Sequence, residues 1–109
     1  MPCLSRKLRM TNMFEANKPR YLTRGIDSKI PLEIQLFLWN AIDNMPEPKD
    51  YLQVFELTKE GGLQCILHKS EQPEYNMTYI LPTVENAIEC KIYCIDSIDY
   101  CTMLLSEEY

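Results

Sequence analysis

The sequence predicts an α+β domain with two layers, in which one main helix packs on a mainly antiparallel sheet of about five strands. Two observations lead to this expectation. Apolar residues recur with helical spacing in one segment only, residues 31–44, whereas later segments alternate apolar and polar residues as strands do. With 109 residues, of which 46% are apolar and 25% charged, the chain has the size and composition of one water-soluble domain.

The first predicted element is a short edge strand over residues 20–26, where β-favouring side chains partly alternate up to Gly25. The main helix follows. Pro31 suits its first turn, because a helix leaves the N–H of that position unpaired, and Pro46 and Pro48 end the helix near residue 44. The expected core face consists of four apolar residues flanked by two aromatic ones: Ile34, Leu38, Ala41 and Ile42, with Phe37 and Trp39.

Leu36 falls on the opposite side of this helix, among polar residues such as Glu33 and Asn40. An apolar side chain in such a position can mark a contact surface for a partner. Scattered exposed leucines are also ordinary on protein surfaces. Leu36 is therefore a candidate interaction residue, with an ordinary surface position as the alternative.

Residues 50–58 and 63–68 are predicted to form a β-hairpin around four residues that include two glycines. Matching apolar with apolar side chains across the strands pairs Phe55 with Cys65. The core face of the hairpin then consists of five residues: Phe55, Leu57, Leu63, Cys65 and Leu67. His68 lies on the other face in this register, so we expect it at the surface or at the edge of the hairpin.

Residues 70–76 are predicted to form a loop because they contain Pro73 and several polar side chains. A short strand over residues 77–81 follows. It ends at Pro82, because proline cannot donate a hydrogen bond to a neighbouring strand.

The strands of a second hairpin are predicted over residues 87–95 and 100–105. The expected register places Cys94 opposite Cys101 and leaves only apolar residues at the inward positions. Tyr93 and Tyr100 fall on the other face. They either pack on the sheet of their own molecule or meet a partner, and if the helix covers the face that holds Cys94 they form an exposed patch. They are therefore candidate interaction residues.

Five cysteines raise the question of a metal or redox site, and geometry argues against one. Cys90 and Cys94 are four residues apart in a predicted strand, so about 13 Å separates their Cα atoms, too far for both thiolates to bind one zinc ion. We expect buried thiols that act as small apolar residues, with no metal and no cofactor. The sequence does not decide whether Cys94 and Cys101 form a disulfide, because opposed strand residues lie near the spacing that a disulfide needs.

No group of residues predicts catalysis. His68 and Cys65 project from opposite faces of one strand, so they cannot act as a base and a nucleophile together. The carboxylate pairs, such as Asp96 with Asp99, fall in loops or at the chain end, where water keeps them ionised. The three glycines match no phosphate-binding loop. We therefore expect a protein without enzymatic activity.

Charge is distributed unevenly along the chain. Residues 1–29 carry a net charge of +5, and residues 30–109 carry a net charge of −10. A basic segment before an acidic body could bind the phosphates of a nucleic acid, or it could lie against its own domain. Both arrangements are electrostatically favourable, so the pattern leaves both open.

Residues 1–13 show no periodic apolar pattern and no apolar block of a secretory signal. We expect a flexible extension or a wrongly assigned start, with Met1, Met10 or Met13 as the first residue, before one α+β domain over residues 14–109. The longest fully apolar run has four residues, against the roughly 20 that a membrane span needs. The expected location is the cytoplasm, without membrane association.

Five segments have a familiar order and spacing. They are RYLTRGID at residues 20–27, PLEIQLFLWNAID at 31–43, DYLQVFEL at 50–57, QPEY at 72–75 and TMLLSEEY at 102–109. Together they resemble the domain of unknown function 960 family, which consists of small uncharacterised proteins of Gram-positive bacteria. The resemblance implies a bacterial, intracellular, single-domain protein and supplies no activity, cofactor or catalytic residue.

Two functions remain open. The first is a small regulatory or adaptor protein that binds an unknown protein partner through Tyr93 and Tyr100 or through Leu36, with a homodimer as one option. The second is a role linked to nucleic acid, in which the basic segment binds it or the acidic body mimics it. We take the first as the main expectation, because it requires no catalytic group.

Overall fold

The computed structural model of the protein describes residues 13–82 and 87–109. Its strands are β1 (Arg20–Leu22), β2 (Leu52–Glu60), β3 (Leu63–Glu71), β4 (Glu74–Pro82), β5 (Cys90–Asp96) and β6 (Cys101–Leu105). Its helices are α1 (Arg24–Lys29) and α2 (Leu32–Asp43), followed at the chain end by a 3₁₀ turn (Ser106–Glu108). The predicted extension over residues 1–13 lies, except for Met13, outside the described residues.

The six strands form one sheet in the order β1-β6-β5-β2-β3-β4. Within the described ranges the pairing of β1 with β6 is parallel and every other pairing is antiparallel. The predicted α+β class is confirmed. The sheet is larger than the predicted five strands, and a short helix precedes the main one.

The predicted strand over residues 20–26 is only half correct, because the chain enters α1 at Arg24. The hydroxyl oxygen of Thr23 caps this helix by accepting a hydrogen bond from the N–H of Ile26, with an N···O distance of 3.4 Å. The Thr23 hydroxyl in turn donates a hydrogen bond of 2.6 Å to the carboxylate of Glu108. The same carboxylate accepts a hydrogen bond of 3.0 Å from the N–H of Gly25. A contact from the far end of the chain thus stabilises a helix that local propensity does not favour.

α2 confirms the main helix to within one residue at each end. The predicted core face is buried or half-buried: Ile34, Phe37, Leu38, Trp39, Ala41 and Ile42. Trp39 packs under the guanidinium of Arg20, whose carbon lies 4.8 Å from the ring centroid. Phe37 packs edge-on against Tyr79, with 5.0 Å between the ring centroids. The helix therefore contacts side chains from both edge strands, β1 and β4.

The register of the first hairpin differs from the predicted one. Its two glycines form a two-residue turn with φ angles of +54° and +85°, so Phe55 pairs with His68 instead of Cys65. This shift of three residues exchanges the faces of β3, because side chains alternate along a strand. His68 therefore faces the core, contrary to the prediction. Three residues expected in the core lie on the other face: Leu63, Cys65 and Leu67.

β4 is longer than the strand that the sequence predicts. Residues 74–76, predicted as part of a loop, already pair with β3, and a two-residue turn at Gln72 and Pro73 joins the two strands. The predicted loop was too long because the proline lies in this tight turn. The predicted end of the strand at Pro82 is confirmed.

The second hairpin has the predicted faces in a shifted register. Cys94 lies opposite Met103, and Cys101 lies opposite Asp96. A shift of two residues preserves the faces, so five of the six expected inward residues are buried: Ile92, Cys94, Cys101, Met103 and Leu105. The sixth, Cys90, is half-buried. Four cysteines of the described ranges are free thiols, among them Cys94 and Cys101, so no disulfide joins these two.

One face of the sheet packs against the two helices, and we call it the covered face. Its core joins helix residues such as Leu38 and Ile42 to strand residues such as Phe55 and Ile92. Phe14, which precedes β1, is also buried there. The opposite face consists of the alternate residues of each strand, many of them half-buried or exposed, and we call it the open face. The candidate site lies on this open face.

Candidate interaction surface

The open face is mostly apolar where β1, β6, β5 and the start of β2 meet, with Thr102 of β6 between Tyr21 and Ile95. The register places Tyr93 of β5 between Leu104 of β6 and Val54 of β2. We call this surface the tyrosine patch, and it consists of eight residues: Tyr21, Leu52, Val54, Tyr93, Ile95, Tyr100, Leu104 and Tyr109. The alternation of side chains puts its strand residues on the face away from Cys94, as the sequence predicts for Tyr93 and Tyr100.

The tyrosines of the patch form two aromatic pairs. Tyr100 meets Tyr21 edge-on, with 5.7 Å between the ring centroids, and Tyr93 meets Tyr109 at 5.5 Å. The two predicted residues thus share a face but belong to separate pairs. Sequence reasoning missed Tyr21 and Tyr109, because the parallel pairing of β1 and the turn at the chain end bring them there. Neither feature leaves a signal in the local sequence.

Three charged residues bound the tyrosine patch. The carboxylate of Glu56 accepts a hydrogen bond of 2.9 Å from Lys69 and lies 3.8 Å from the ammonium of Lys91. The hydrogen bond from Lys69 and the charge of Lys91 lower the pKa of Glu56, although partial desolvation acts against them. Glu56 therefore stays ionised, and the apolar surface ends at this row of charges.

Beyond these charges a shallow groove of about 450 Å³ runs over the open face of β2, β3 and β4. It is lined by carboxylates, threonines and apolar residues: Glu56, Thr58, Glu60, Leu63, Cys65, Leu67, Thr78 and Ile80. The groove contains no aromatic ring. It therefore lacks the residue type that dominates protein contacts.

A larger cleft of about 870 Å³ opens beside the tyrosine patch, where β2 begins and β3 ends. Leu52 and Val54 line the cleft and also belong to the patch. The carboxylate of Asp50, on the cleft wall, accepts hydrogen bonds from the backbone N–H groups of Glu71 and Gln72, at 3.2 and 2.9 Å. This carboxylate holds the turn between β3 and β4, so its hydrogen bonds are structural.

Leu36 lies on α2 and is 58% exposed. Leu32, one helical turn earlier and missed by sequence reasoning, is 64% exposed. Because α2 packs on the covered face, these leucines lie on the other side of the sheet from Tyr93 and Tyr100. The three predicted site residues therefore form two separate surfaces.

His68 is fully buried in the covered face. Its ring stacks on Phe55 with 4.3 Å between centroids, and its Nε2 lies 2.7 Å from the side-chain oxygen of Gln53. Tyr75 contacts the ring from the side at 5.0 Å. Burial lowers the pKa of His68 to about 4, so the imidazole is neutral at pH 7. The predicted surface position was wrong, and the residue packs as part of the core.

Asp96 was predicted to be a solvated loop carboxylate, and this was wrong as well. Its carboxylate accepts hydrogen bonds from the backbone N–H groups of Phe14 and Ile98, at 2.6 and 2.7 Å, and from the ammonium of Lys18 at 2.8 Å. Burial by itself raises the pKa of Asp96, but these donors outweigh it and leave the pKa below its ordinary value. Asp96 therefore anchors the segment before β1 to the sheet.

The buried thiols are poor nucleophiles. Burial raises the pKa of Cys101 to about 12, and burial also raises the pKa of Cys94 and of Cys90. A thiol must lose its proton to attack an electrophile or to bind a metal. In the part of the chain that the structure describes, no three His, Cys, Asp or Glu side chains are placed to hold a metal ion.

The helices are short. Over residues 13–82 and 87–109, none has the length and apolar composition to cross a membrane, and the longest, α2, has 12 residues. The predicted cytoplasmic location is not tested by this finding and stays a prediction.

The model of the family described as "Staphylococcal protein of unknown function (DUF960)" matches residues 19–108. A solved structure described as the "Crystal structure of the protein of unknown function from Enterococcus faecalis" has a similar fold, with a TM-score of 0.77 and 24% sequence identity, over 88% of this chain and 94% of that chain. At this identity the likeness shows the fold alone. No curated protein matches the chain. Since the family match spans most of the sequence, the chain belongs to the staphylococcal family of unknown function DUF960.

Proposed function

We propose that the protein is a non-enzymatic regulatory module that binds another protein through the tyrosine patch. One observation carries this proposal. An antiparallel sheet with one face on the core usually has polar residues on its other face. Here the outer positions of β5 and β6 include the half-buried Tyr93 and Ile95 and the buried Leu104, beside the polar Lys91 and Thr102. A contiguous apolar surface with a polar border is typical of a protein contact.

The aromatic pairs favour binding because they hold the rings in place. Tyr21 and Tyr100 are 54% and 43% exposed, yet each restricts the other through an edge-on contact. A side chain that is already ordered loses little conformational entropy when a partner covers it. Tyrosine also offers a large apolar area and a hydroxyl that can donate a hydrogen bond, which explains its enrichment at interfaces.

The groups that usually perform catalysis are placed unfavourably for it. His68 is buried and neutral, its ring contacts Phe55, Tyr75 and the Gln53 amide, and the buried cysteines hold their protons. A general base needs access to the proton that it removes, and a nucleophile needs access to its substrate. These facts support a binding function over an enzymatic one.

The chemistry of the patch indicates the kind of partner. Acidic residues adjoin it in the sequence, since Asp99 precedes Tyr100 and Glu107 lies two residues before Tyr109. Residues 30–109 also carry a net charge of −10. The charged residues that bound the patch, Glu56, Lys69 and Lys91, add two positive charges and one negative charge. We therefore expect a folded protein with an apolar contact surface whose border carries both signs of charge, because complementary charge speeds association and excludes wrong partners.

Affinity capture from the native host tests the proposal. The full chain is immobilised, and the retained proteins are compared with those retained by a Tyr21→Ser/Tyr100→Ser double variant. Leu36→Ser is the matched control, since its side chain is similarly exposed but lies on the helix. We expect one protein that is retained at about 0.5 M salt by the wild type and by Leu36→Ser. The purified partner should bind the double variant at least about tenfold more weakly, as for central aromatic contacts in other interfaces.

Loss of binding in Leu36→Ser alone would show that the partner contacts the helix surface, and it would refute the proposal. Retention of the same protein by both variants would refute it as well. Thermal unfolding of each variant shows whether a loss of binding reflects unfolding. These three results separate the two surfaces that the sequence predicts as candidates.

Nucleic-acid binding by the basic segment stays a prediction. Within the described ranges, three of its basic residues lie in ion pairs of the same molecule: Lys18 with Asp96, Arg20 with Asp43 and Lys29 with Glu107. These pairs match the alternative in which the segment lies against its own domain. Retention of the protein on heparin or DNA that disappears by about 0.2 M salt would favour nucleic acid instead.

A further inference from the structure

The two edges of the sheet differ in length. β1 has three residues before the chain turns into α1, whereas β4 has nine residues, Glu74–Pro82, and is the last strand of the order. The described residues place no strand along the outer side of β4. An edge strand presents N–H and C=O groups that can pair with another chain.

β4 lacks the features that usually protect such an edge. Residues 75–81 contain no charged residue and no proline, and Glu74 and Pro82 stand only at the ends. The pairing with β3 continues without a bulge over all nine residues. Met77 and Ile80 are 43% and 59% exposed. A long, uncharged and regular edge of this kind is a template for a further strand.

We propose that β4 of a second copy of this chain pairs with β4, antiparallel and about a two-fold axis at Thr78. In this register Met77 faces the second copy's Tyr79, and Tyr75 faces its Leu81. Residues on the covered face thus meet apolar residues of the same face, as they do between neighbouring strands of one sheet. The proposal is independent of the tyrosine patch, which lies toward the other edge.

The free backbone groups agree with this register. Hydrogen-bonded and non-hydrogen-bonded residues alternate along an antiparallel pair, and the glycine turn makes Glu60 and Leu63 a hydrogen-bonded pair, so the odd-numbered residues of β3 direct their N–H and C=O groups toward β2. The N–H of Glu71 accordingly bonds to Asp50, which precedes β2. The even-numbered residues of β3 therefore bond to the odd-numbered residues of β4, and the even-numbered residues of β4 direct their N–H and C=O groups outward. The two-fold axis at Thr78 places even-numbered residues opposite even-numbered ones, so these groups meet as donors and acceptors.

The overlap of the two strands and the charges along them favour this register. They also favour a second copy of the chain as the partner of β4. The axis at Thr78 is the one that overlaps all nine residues, and it places Glu74 opposite Pro82. An axis one residue earlier would place the charged Glu74 opposite the apolar Ile80. No like charges face each other in the proposed pair, so the strand is complementary to itself. A two-fold symmetric contact between identical patches is also the commonest form of protein dimer.

Sedimentation of the full chain over about 5 to 500 µM tests the proposal. We expect the wild type to shift from monomer to dimer as its concentration rises. Thr78→Lys places two ammonium groups side by side at the axis and should raise the dissociation constant at least about tenfold. Thr78→Val is the matched control, since it keeps the β-branched shape without charge and should dimerise like the wild type.

An equimolar mixture of Thr78→Lys and Thr78→Glu provides the decisive measurement. Each variant alone should be monomeric at 100 µM, and the mixture should form a heterodimer, which also shows that both variants are folded. A wild type that stays monomeric at 500 µM would overturn the proposal. A dimer that Thr78→Lys leaves unchanged would overturn it too, because the contact would then lie elsewhere.

Discussion

On the covered face of β2, Phe55 is fully buried against His68, whereas its neighbours on the open face, Val54 and Glu56, remain half-exposed. The same strand thus contributes to two surfaces with different contacts. The covered face contains buried polar groups such as Gln53, whose side-chain N–H donates to the backbone carbonyl of Asp50 at 2.8 Å and whose side-chain oxygen accepts a hydrogen bond from Nε2 of His68. The open face contains exposed aromatic pairs and a row of surface charges.

Burial and apolar composition do not coincide in this sheet. Several polar residues lie in the core with hydrogen-bond partners: Gln64 bonds to the backbone carbonyls of Thr58 and Ile88 and to the N–H of Ile88. Nδ1 of His68 and Oγ of Ser70 are buried without a partner among the described residues. Apolar residues such as Leu63 and Ile80 stay exposed. Buried polar groups with satisfied hydrogen bonds cost little, while exposed apolar groups favour contact with another molecule. Substitutions on the two faces should therefore affect different properties.

The largest loss of stability is expected on the covered face. Phe55→Ala removes a buried ring from its stack on His68 and leaves a cavity, so the free energy of unfolding should fall by about 3–5 kcal/mol. Urea denaturation followed by circular dichroism measures the change. A loss below about 1.5 kcal/mol would mean that this face is packed no more tightly than the open one.

The second expected effect is a dependence of stability on pH that originates in the same stack. His68 has an ordinary pKa of 6.5, which burial lowers to about 4, so between these values the unfolded chain binds a proton that the folded chain does not. The free energy of unfolding is therefore highest above pH 6.5 and falls as the pH drops toward 4. The total loss is about 3 kcal/mol, at 1.36 kcal/mol per pH unit.

Urea denaturation between pH 7 and 5 isolates this effect, because the carboxylates titrate mainly below that range. His68→Gln is the control, since glutamine can keep a hydrogen bond to Gln53 but does not titrate. We expect the variant to be less stable than the wild type at pH 7 and to lose the slope between pH 6.5 and 5. If His68→Gln kept the wild-type slope of the free energy of unfolding against pH, the slope would come from other groups. The pKa of His68 in the folded protein would then be close to its ordinary value.

The two hairpins show which parts of the fold the sequence could predict. In β5 and β6 every inward position except Asp96 is apolar, so alternation predicted the faces, and a register error of two residues left them unchanged. In β3 both faces contain apolar residues, and the glycine turn decides the register. The sequence around His68 did not distinguish a core histidine from a surface one, because its partners Gln53 and Tyr75 come from other strands.

The same limit applies to the candidate site. The face of Tyr93 and Tyr100 follows from alternation within one hairpin, which is a local property. Tyr21 and Tyr109 reach the patch through contacts with residues 79 and 16 positions away, and no local pattern encodes such contacts. Glu108, which holds the start of α1 from the far end of the chain, was missed for this reason.

The smallest expected change of stability concerns the open face and decides between the two interpretations of its tyrosines. Tyr100→Ser removes a ring that is 43% exposed and touches Tyr21 edge-on, so the free energy of unfolding should fall by no more than about 1 kcal/mol. A double-mutant cycle with Tyr21→Ser isolates the contribution of the ring pair, because it compares the effect of Tyr100→Ser with and without the partner ring. A loss above about 2 kcal/mol in Tyr100→Ser would assign this pair to the stability of the molecule itself. A small loss leaves the ring free to contribute to binding, because a side chain that hardly stabilises its own fold can be covered by a partner without cost to that fold.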